Sequence, residues 1–458
     1  MILSSFLLAV FLGGQVSAPT PTPIGVQVRA PRPTVRQKTT PTPAPALGPL
    51  KIRSRKERMD RYLVAAMRKS GIDAWLVVTR EGTVDPVAFD VAADHAVGRV
   101  ACLFVDKGDR LERVAIVASY DTDTFEKSGL YTRVVPYGKE GAGPALKGEI
   151  EGLNPKTIAV DMSRDEPLAD GMTAGNLQWL RETIGPDYSK RLVSAEAFLV
   201  SYRSRKTPAE IAKLKDAVRK TEQILAEALT PTVVVSGKTT EKDLADFIRR
   251  RRREMGLGPS WEEDQDPNVM AGLARGHSAA SEAAILPGSV IRIDFGVDED
   301  GYKTDIQRLA YVLRPGETEA PPEVAAAFAT VRAANRAAAA ALKPGATGTA
   351  VDTAARKVIT DANYEEFKHA TGHPIGFYTH DLGPLLAPAW PDRYGKLGAY
   401  TIERDQTFAI EPALETELPW MMGGSVGFGL EEDYVVTEKG SEPLGTPQET
   451  LILIPSAP

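Results

Sequence analysis

The sequence contains few of the residues from which many metal sites and small stable folds are built. It has one cysteine, Cys102, and five histidines among 458 residues. One cysteine cannot form an internal disulfide, and it excludes zinc sites made of several thiolates. With 61 acidic against 55 basic residues, the chain also has no overall positive charge to attract nucleic acid. We therefore expect no nucleic-acid partner, and any metal site must use carboxylates and a few histidines.

The N-terminus has the composition of a targeting segment. Residues 1–18 are uncharged, and an apolar core is followed by the small residues that end at Ala18. This pattern is typical of a signal peptide cleaved after Ala18, and a buried N-terminal helix is the alternative interpretation. The apolar core is shorter than the ~20 residues of a membrane span. The sequence thus predicts an exported protein, periplasmic or secreted, without a stable membrane span.

A proline-rich segment follows. Residues 19–50 contain nine prolines and four basic residues but no acidic residue. Such a segment cannot bury a core and favours an extended linker. Because the linker is basic, the remainder of the chain is more acidic than the whole-chain net charge of −6 indicates.

The remaining chain divides near residue 198. Residues 51–197 show an α/β pattern without a glycine-rich phosphate loop, which indicates a scaffold or specificity domain. A long amphipathic helix with Thr207 and Pro208 at its start then opens the second domain, residues 198–458. In the first domain the pattern predicts helices over 53–70 and 172–182 and strands over 74–78, 100–105, 113–117 and 157–160.

The second domain contains a predicted hairpin with two acidic residues on it. Residues 290–313 form two strand-like runs around a four-residue turn centred between Glu299 and Asp300. Asp294 and Asp305 are equally far from that centre, which predicts that they face each other with Cβ atoms ~5 Å apart. Two opposed carboxylates repel unless a positive group lies between them, so a bound cation is favoured, with an ion pair to a nearby lysine or arginine as the alternative.

A second group of acids and histidines lies downstream of the hairpin. Glu411 and Glu432 are each in or beside a strand-like run, and four of the five histidines lie between His277 and His380. Four carboxylates and a neutral imidazole are suitable ligands for two adjacent divalent ions.

These residues resemble the pattern of the pita-bread metallopeptidase family, which includes Xaa-Pro aminopeptidases, prolidases, methionine aminopeptidases and creatinase. The family has two Asp separated by ten residues, a His in a GHGIG motif followed seven residues later by a second His, a Glu in a TIEP-like strand and a Glu in an IED-like strand. This chain has GHPIG around His373 and AIEP around Glu411. The resemblance covers nearly all of residues 51–440. It implies an α+β fold with a C-terminal pita-bread catalytic domain, preceded by a smaller α/β creatinase-like domain.

The resemblance also implies roles for individual residues. Glu411 would be both a ligand and the general base beside a metal-bridging hydroxide. His277 and His380 would bind the substrate carbonyl or the oxyanion, and His369 would line the substrate pocket. For His277 and His369 a purely structural role is the alternative. The implied cofactor is a pair of divalent ions, with manganese favoured over cobalt or zinc. The implied metal ligands are Asp294, Asp305, His373, Glu411 and Glu432.

Three positions depart from the family pattern. Pro374 replaces the second glycine of GHGIG, Asp381 stands where Glu is usual, and Leu430 occupies a position where many proline-specific members have Arg. The last change weakens the expectation of a dipeptidase that binds a C-terminal carboxylate.

The sequence therefore predicts an exported dinuclear metallo-aminopeptidase of the Xaa-Pro type, which acts on a peptide substrate. The alternatives are a prolidase-like dipeptidase or another dimetal hydrolase on the same fold, and a non-catalytic peptide-binding module. A homodimer is a further expectation from two-domain relatives.

Overall fold

The computed structural model describes residues 49–276 and 278–456. The predicted signal peptide, and the linker except for its last two residues, lie outside the described residues. Pro49 and Leu50 form the start of the first helix. Within the described ranges, no helix is both long enough and apolar enough to cross a membrane.

The first part of the chain is built around a six-stranded sheet with the order β4-β3-β2-β1-β5-β6. Strand β2 is antiparallel to both of its neighbours, whereas β3–β4, β1–β5 and β5–β6 are parallel pairs. The strands are β1 Ala74–Arg80, β2 Arg99–Asp106, β3 Leu111–Ala118, β4 Arg133–Tyr137, β5 Ile158–Val160 and β6 Leu192–Ser194.

Helices cover both faces of this sheet, because alternate residues of its central strands pack into two separate apolar clusters. Trp75, for example, is buried in one cluster and Leu76 in the other. Met59–Leu63, a π-helical turn, joins the first two helices into one nearly continuous helix. The helices are α1 Pro49–Arg58, α2 Val64–Lys69, α3 Thr122–Ser128, α4 Ala142–Leu153, α5 Ala174–Ser189 and α6 Glu196–Tyr202.

The elements predicted for this part are all present, and most agree to within a few residues; the predicted 172–182 helix is α5, which continues to Ser189. The predicted 53–70 helix corresponds to α1, the π-helical turn and α2, and the four predicted strands correspond to β1, β2, β3 and β5. The long helix after residue 203 begins at Pro208, with a capping box between Thr207 and Glu210.

The second part contains the remaining elements. Its helices are α7 Pro208–Ala228, α8 Glu241–Glu254, α9 Pro322–Ala341, α10 Gly348–Asp361 and α11 Pro391–Tyr394. Its strands are β7 Gly258–Pro259, β8 Asn268–Ala271, β9 Val290–Phe295, β10 Val297–Glu299, β11 Tyr302–Lys303, β12 Ile306–Val312, β13 Gly372–Pro374, β14 Thr407–Ile410, β15 Ala413–Thr416, β16 Val426–Gly429, β17 Glu432–Val436, β18 Ser441–Pro443 and β19 Ile452–Ile454.

Two four-stranded sheets meet in this part. One has the order β19-β12-β9-β8 and the other β13-β14-β17-β18. A backbone bridge between Gln307 of β12 and Glu431, the residue before β17, connects them. The acidic strands of the hairpin therefore lie beside the strands that contain the later acids and the histidine.

The predicted hairpin is present, but its turn is centred one residue later, so each cross-strand partner is shifted by two residues. Glu299 pairs with Tyr302, so the turn consists of Asp300 and Gly301 alone. Both have positive φ, 56° and 83°, as a type I′ turn requires. Asp294 consequently pairs with Gln307 instead of Asp305. The predicted direct opposition of Asp294 and Asp305 is wrong, because the turn is centred between Asp300 and Gly301 and not between Glu299 and Asp300.

A buried charge network joins the two parts of the chain. Arg203, at the junction, donates hydrogen bonds to Asp90 of the first part and to Asp381 of the second, the latter at 2.9 Å. Arg58 of α1 likewise pairs with Asp90 and, at 2.8 Å, with Glu210 of α7. All five side chains are at most 3% exposed. Such pairs need complete hydrogen bonding to offset their desolvation.

Asp381 ends the loop that begins after His373, and several groups hold its carboxylate. It receives hydrogen bonds from the backbone N–H groups of Phe377 and Leu382 and lies 3.2 Å from Lys206 Nζ. Burial raises the pKa of Asp381, but Arg203 and Lys206 outweigh burial and lower it to about 2. The Phe377 ring has four cations within 4.4–5.5 Å of its centre: Lys51, Arg58, Arg203 and Lys206.

Replacement of Asp381 by Asn should strongly destabilise the protein, because it leaves the buried cations without their carboxylate. We expect a loss of about 3–5 kcal/mol in the free energy of unfolding. Urea denaturation at pH 7 measures it. The matched control is Asp361→Asn, which removes an exposed pair with Lys357 and should cost less than about 0.5 kcal/mol. Equal effects of the two substitutions would contradict this account of the network.

Candidate metal centre

His373 enters the site from β13, a short strand held against β14. Gly372 pairs with Ile410 and His373 with Ala409. A Cβ on Gly372 would lie 2.1 Å from the Ala409 carbonyl oxygen, so only glycine permits this close approach. His373 itself is 4% exposed.

The glutamates of the site are positioned by the pairing of β14 with β17. Ile410 pairs with Glu432, so the same register places Glu411 opposite Glu431. Asp305, just before β12, comes from the other sheet. Asp305, His373 and Glu431 are all buried, and each offers a ligand atom within 4.8 Å of the others.

Glu431 occupies the place that the sequence analysis assigned to Glu432. The Glu432 carboxylate points away from His373, because successive residues of a strand face opposite sides. It lies 3.0 Å from Arg308 Nη1 and accepts a hydrogen bond from the Gln448 backbone N–H at 2.7 Å. Glu431 Oε1 instead lies 3.8 Å from His373 Nε2. Glu432 as a metal ligand is therefore corrected to Glu431.

Three carboxylates surround the free edge of the His373 ring. Its Nε2 atom lies 3.7 Å from Asp305 Oδ2 and 3.7 Å from Glu411 Oε1, in addition to Glu431. Its Nδ1 is 3.2 Å from the Pro374 carbonyl oxygen, which can only accept, so Nδ1 carries the proton. Burial, followed by the neighbouring His380, lowers the pKa of His373 to about 3. The ring is thus a neutral imidazole with Nε2 available as a ligand.

The carboxylates raise one another's pKa. Burial and then the charge of Asp294 raise the pKa of Glu411 to about 8. Burial and then Glu431 raise the pKa of Asp305 well above its usual value, and burial and then Glu411 do the same for Glu431. These three carboxyl groups can all be ionised at the same time only when a positive charge lies among them.

Hydrogen bonds within the described part of the chain do not satisfy all of these carboxylate oxygens. Asp305 Oδ1 and Glu431 Oε1 are buried oxygens without a hydrogen-bond partner among the described residues. The basic side chains of the hairpin do not fill the role, because Lys303 pairs with Asp298 and Arg308 with Glu222 and Glu432. Orphaned carboxylate oxygens around a neutral imidazole fit divalent cations, and the ion-pair alternative is not what the structure shows.

Asp294 lies next to this cluster on β9. It pairs with Gln307 on one side and Asn268 on the other, and its charge raises the pKa of Asp305, Glu411 and Glu431. Gln307 Nε2 donates to Glu431 Oε2 at 3.0 Å and so orients that carboxylate.

The remaining predicted histidines differ in position. The His380 ring is exposed and packs edge-on against His373 with centroids 4.2 Å apart, which places it at the rim of the cluster. His369 is half-buried, its Nδ1 is 2.8 Å from the Ala370 carbonyl oxygen, and it contacts the Phe367 ring. His277 lies outside the described residues.

Glu431 and the orienting amide of Gln307 were not predicted from the sequence. Three consecutive acids, Glu431 to Asp433, hide which of them faces the site. Successive residues of a strand face opposite sides, so only alternate acids of the three can face the site. Which ones do so depends on the register of β14 and β17, which the sequence alone leaves open.

Buried carboxylates around a neutral imidazole, held by two joined sheets, form a donor set suited to divalent ions. Known proteins agree with this interpretation. Residues 212–438 match the family model described as metallopeptidase family M24. The Xaa-Pro dipeptidase of Lactobacillus delbrueckii subsp. lactis is 28% identical over 293 residues, which is 62% of this chain and 71% of that protein.

Two solved structures share the fold. The X-Pro aminopeptidase from Thermotoga maritima MSB8 superposes with a TM-score of 0.61 at 24% identity, covering 85% of this chain and all of that one. Dipeptidase PepE from Mycobacterium ulcerans has a TM-score of 0.64 at 22% identity, covering 88% and 99%.

The chain belongs to metallopeptidase family M24 through residues 212–438, and it is a hydrolase of the peptidase class. The expected pita-bread fold with a preceding smaller α/β part is confirmed. The family implies divalent metal ions, which fits the donor set around His373.

The adjacent glutamates give a matched test of the ligand assignment. Glu431→Gln should reduce the metal retained after dialysis at least tenfold, because it removes a buried charged ligand. Glu432→Gln should retain the metal and lose stability instead, because its partner is Arg308. Elemental analysis of each variant gives metal per chain. Metal loss in Glu432→Gln but not in Glu431→Gln would contradict the assignment.

Proposed function

We propose that this protein is a dinuclear metallopeptidase that removes the N-terminal residue from peptides with proline in the second position. The observation that supports the proposal is the convergence of Asp305, His373, Glu411 and Glu431 around buried oxygens that lack partners. Asp294, beside them, completes the ligand set. Manganese is the proposed metal, with cobalt and zinc as alternatives, because all three accept oxygen and imidazole ligands.

The exposure of the acids supports a division of roles among them. The Glu411 side chain is 22% exposed, against 9% for Asp305 and 1% for Glu431. Glu411 is therefore the acid that reaches water, and it accepts the proton of the attacking water and passes it to the leaving nitrogen. Asp305, His373, Glu411 and Glu431 would hold the divalent ions, which would supply a lowered pKa for water and polarisation of the scissile carbonyl.

The groups around the cluster hold Glu411 in place and contribute to substrate binding. The Glu411 backbone N–H donates to the Thr371 carbonyl oxygen at 2.7 Å, which fixes the backbone of Glu411 relative to β13. His380, exposed at the rim beside His373, is placed to donate a hydrogen bond to the substrate carbonyl as negative charge develops on it. His277 and His369 are proposed to line the same pocket, as the resemblance implies.

Two similar proteins favour substrates of different length for this protein. The similar proteins include both an Xaa-Pro dipeptidase and an X-Pro aminopeptidase. A dipeptidase is therefore the second candidate. Pro374, which is buried and replaces a glycine beside the ligand histidine, removes a backbone N–H from the pocket and changes the groups available to bind substrate.

A peptide panel tests the function. Purified protein loaded with manganese, cobalt or zinc is assayed with Ala-Pro, Ala-Pro-Ala, Ala-Pro-Ala-Ala and matching peptides that have alanine in place of proline. We expect release of N-terminal alanine from the proline series, and a loss of at least 10³-fold in kcat/KM in Glu411→Gln.

The outcomes separate the candidates. Hydrolysis of Ala-Pro alone favours the dipeptidase, and hydrolysis of the longer peptides favours the aminopeptidase. Activity that is indifferent to proline contradicts the proposed specificity. Binding of the peptides without hydrolysis under any metal supports a non-catalytic module and overturns the proposal.

We further propose that the protein is exported, on the basis of the apolar residues 1–18 and the proline-rich residues that follow. N-terminal sequencing of the protein from its native host should begin at Pro19. Recovery of Met1 as the first residue would contradict export through a cleaved signal.

A further inference from the structure

Arg292 lies on the wall of the proposed peptidase site without a charged partner. It is two residues before Asp294 on β9, so both side chains face the same side of the sheet. The side chain is half-buried, and its Nε is a buried atom without a hydrogen-bond partner. Arg292 also forms no ion pair with any residue in the described ranges 49–276 and 278–456. By contrast, Arg308 on β12 is paired with two glutamates.

Two glycines make room for this side chain. A Cβ on Gly429 of β16 would lie 3.2 Å from Arg292 Cδ and 2.2 Å from Gln307 Oε1. A Cβ on Gly427 would lie 3.9 Å from Arg292 Nη1. The aliphatic stem therefore crosses Gly429, and the guanidinium reaches Gly427. Side chains at these two positions of β16 would narrow the space in which Arg292 lies.

The guanidinium stands back from the metal-binding cluster. Gly427 precedes Glu431 by four residues along an extended chain, which corresponds to at most ~13 Å. Two or three residues of an extended peptide span ~7–11 Å. The charge of Arg292 still acts on Glu411, whose pKa it lowers against the larger effects of burial and Asp294. The separation of the guanidinium from the cluster is thus comparable to the length of a short peptide.

We propose that Arg292 is a specificity-determining residue that binds a carboxylate of the substrate. This inference rests on the proposed peptidase function and narrows its substrates to short peptides that carry a carboxylate within reach of Arg292. A guanidinium pairs with a carboxylate through two parallel hydrogen bonds, and a half-buried site strengthens the pair. The carboxylate has two sources, the C-terminus of a di- or tripeptide or the side chain of an acidic residue.

The test compares free and amidated peptides in the metal-loaded protein. Ala-Pro and Ala-Pro-Ala are measured beside their C-terminal amides, and amidated Ala-Pro-Glu beside amidated Ala-Pro-Gln. We expect the wild type to prefer the carboxylate partner of at least one pair tenfold or more in kcat/KM. Arg292→Gln should abolish this preference through KM, and Arg292→Lys should retain part of it. Arg219→Gln, at an exposed position on α7, is the matched control and should leave every preference unchanged.

The pairs identify the source of the carboxylate. A preference for free over amidated peptides assigns Arg292 to the C-terminus, and a preference for Glu over Gln assigns it to an acidic side chain. Absence of both preferences in the wild type overturns the inference. It is also overturned if Arg292→Gln lowers kcat equally for all peptides, because the arginine would then act on the cluster alone.

A binding measurement separates this inference from the proposed function. Isothermal titration calorimetry with Ala-Pro and Ala-Ala, and with their amides, gives the carboxylate preference as a ratio of Kd values whether or not the peptides are cleaved. If no Xaa-Pro peptide is hydrolysed but the ratio remains and disappears in Arg292→Gln, the proposed function fails and the Arg292 assignment stands. A ratio near one in the wild type overturns the assignment independently of catalysis.

Discussion

The buried ion pair between Arg203 and Asp381 is the contact on which the arrangement of the site depends. Asp381 follows His380 directly, and its carboxylate also receives the backbone N–H groups of Phe377 and Leu382. The loop between the two histidines is therefore fixed at its far end by a charge from the domain junction. Through Asp90, the same arginine connects this loop to the first part of the chain. The smaller part thus contributes to the site as a support.

The second constraint is the repulsion among the acids. Asp305, Glu411 and Glu431 are brought together by strands from two different sheets, and burial together with neighbouring carboxylates, Asp294 among them, raises the pKa of each. A fold that relied only on its own contacts would place basic side chains between them. Here Lys303 pairs with Asp298, and Arg308 pairs with Glu222 and Glu432, so these basic side chains do not neutralise the cluster. The cluster is therefore suited to binding cations. The energetic cost of assembling the cluster is the basis of its proposed affinity for metal.

Much of the fold follows from local sequence. The capping box of Thr207 and Glu210 and the apolar strands of the first sheet are visible in short windows, because they depend on neighbours in the chain. The type of metal site could also be predicted, since few ligand types are available. What could not be predicted is which face an acid points to. The partner of Asp294 was misplaced by two residues and the ligand glutamate by one, because the type I′ turn at Asp300 and Gly301 and the pairing of β14 with β17 set registers that the sequence leaves open.

The position of Glu431 has a consequence for folding fidelity. Residues 431–433 are all acidic, so a strand shifted by one residue would still present a carboxylate to each face. The acids themselves therefore cannot distinguish the correct alignment from a shifted one. That discrimination comes from β12, where the Gln307 amide meets Glu431 and the Arg308 guanidinium meets Glu432. The neutral Gln307 and the cationic Arg308 thus fix the alignment of β17, and with it the position of the proposed ligand Glu431.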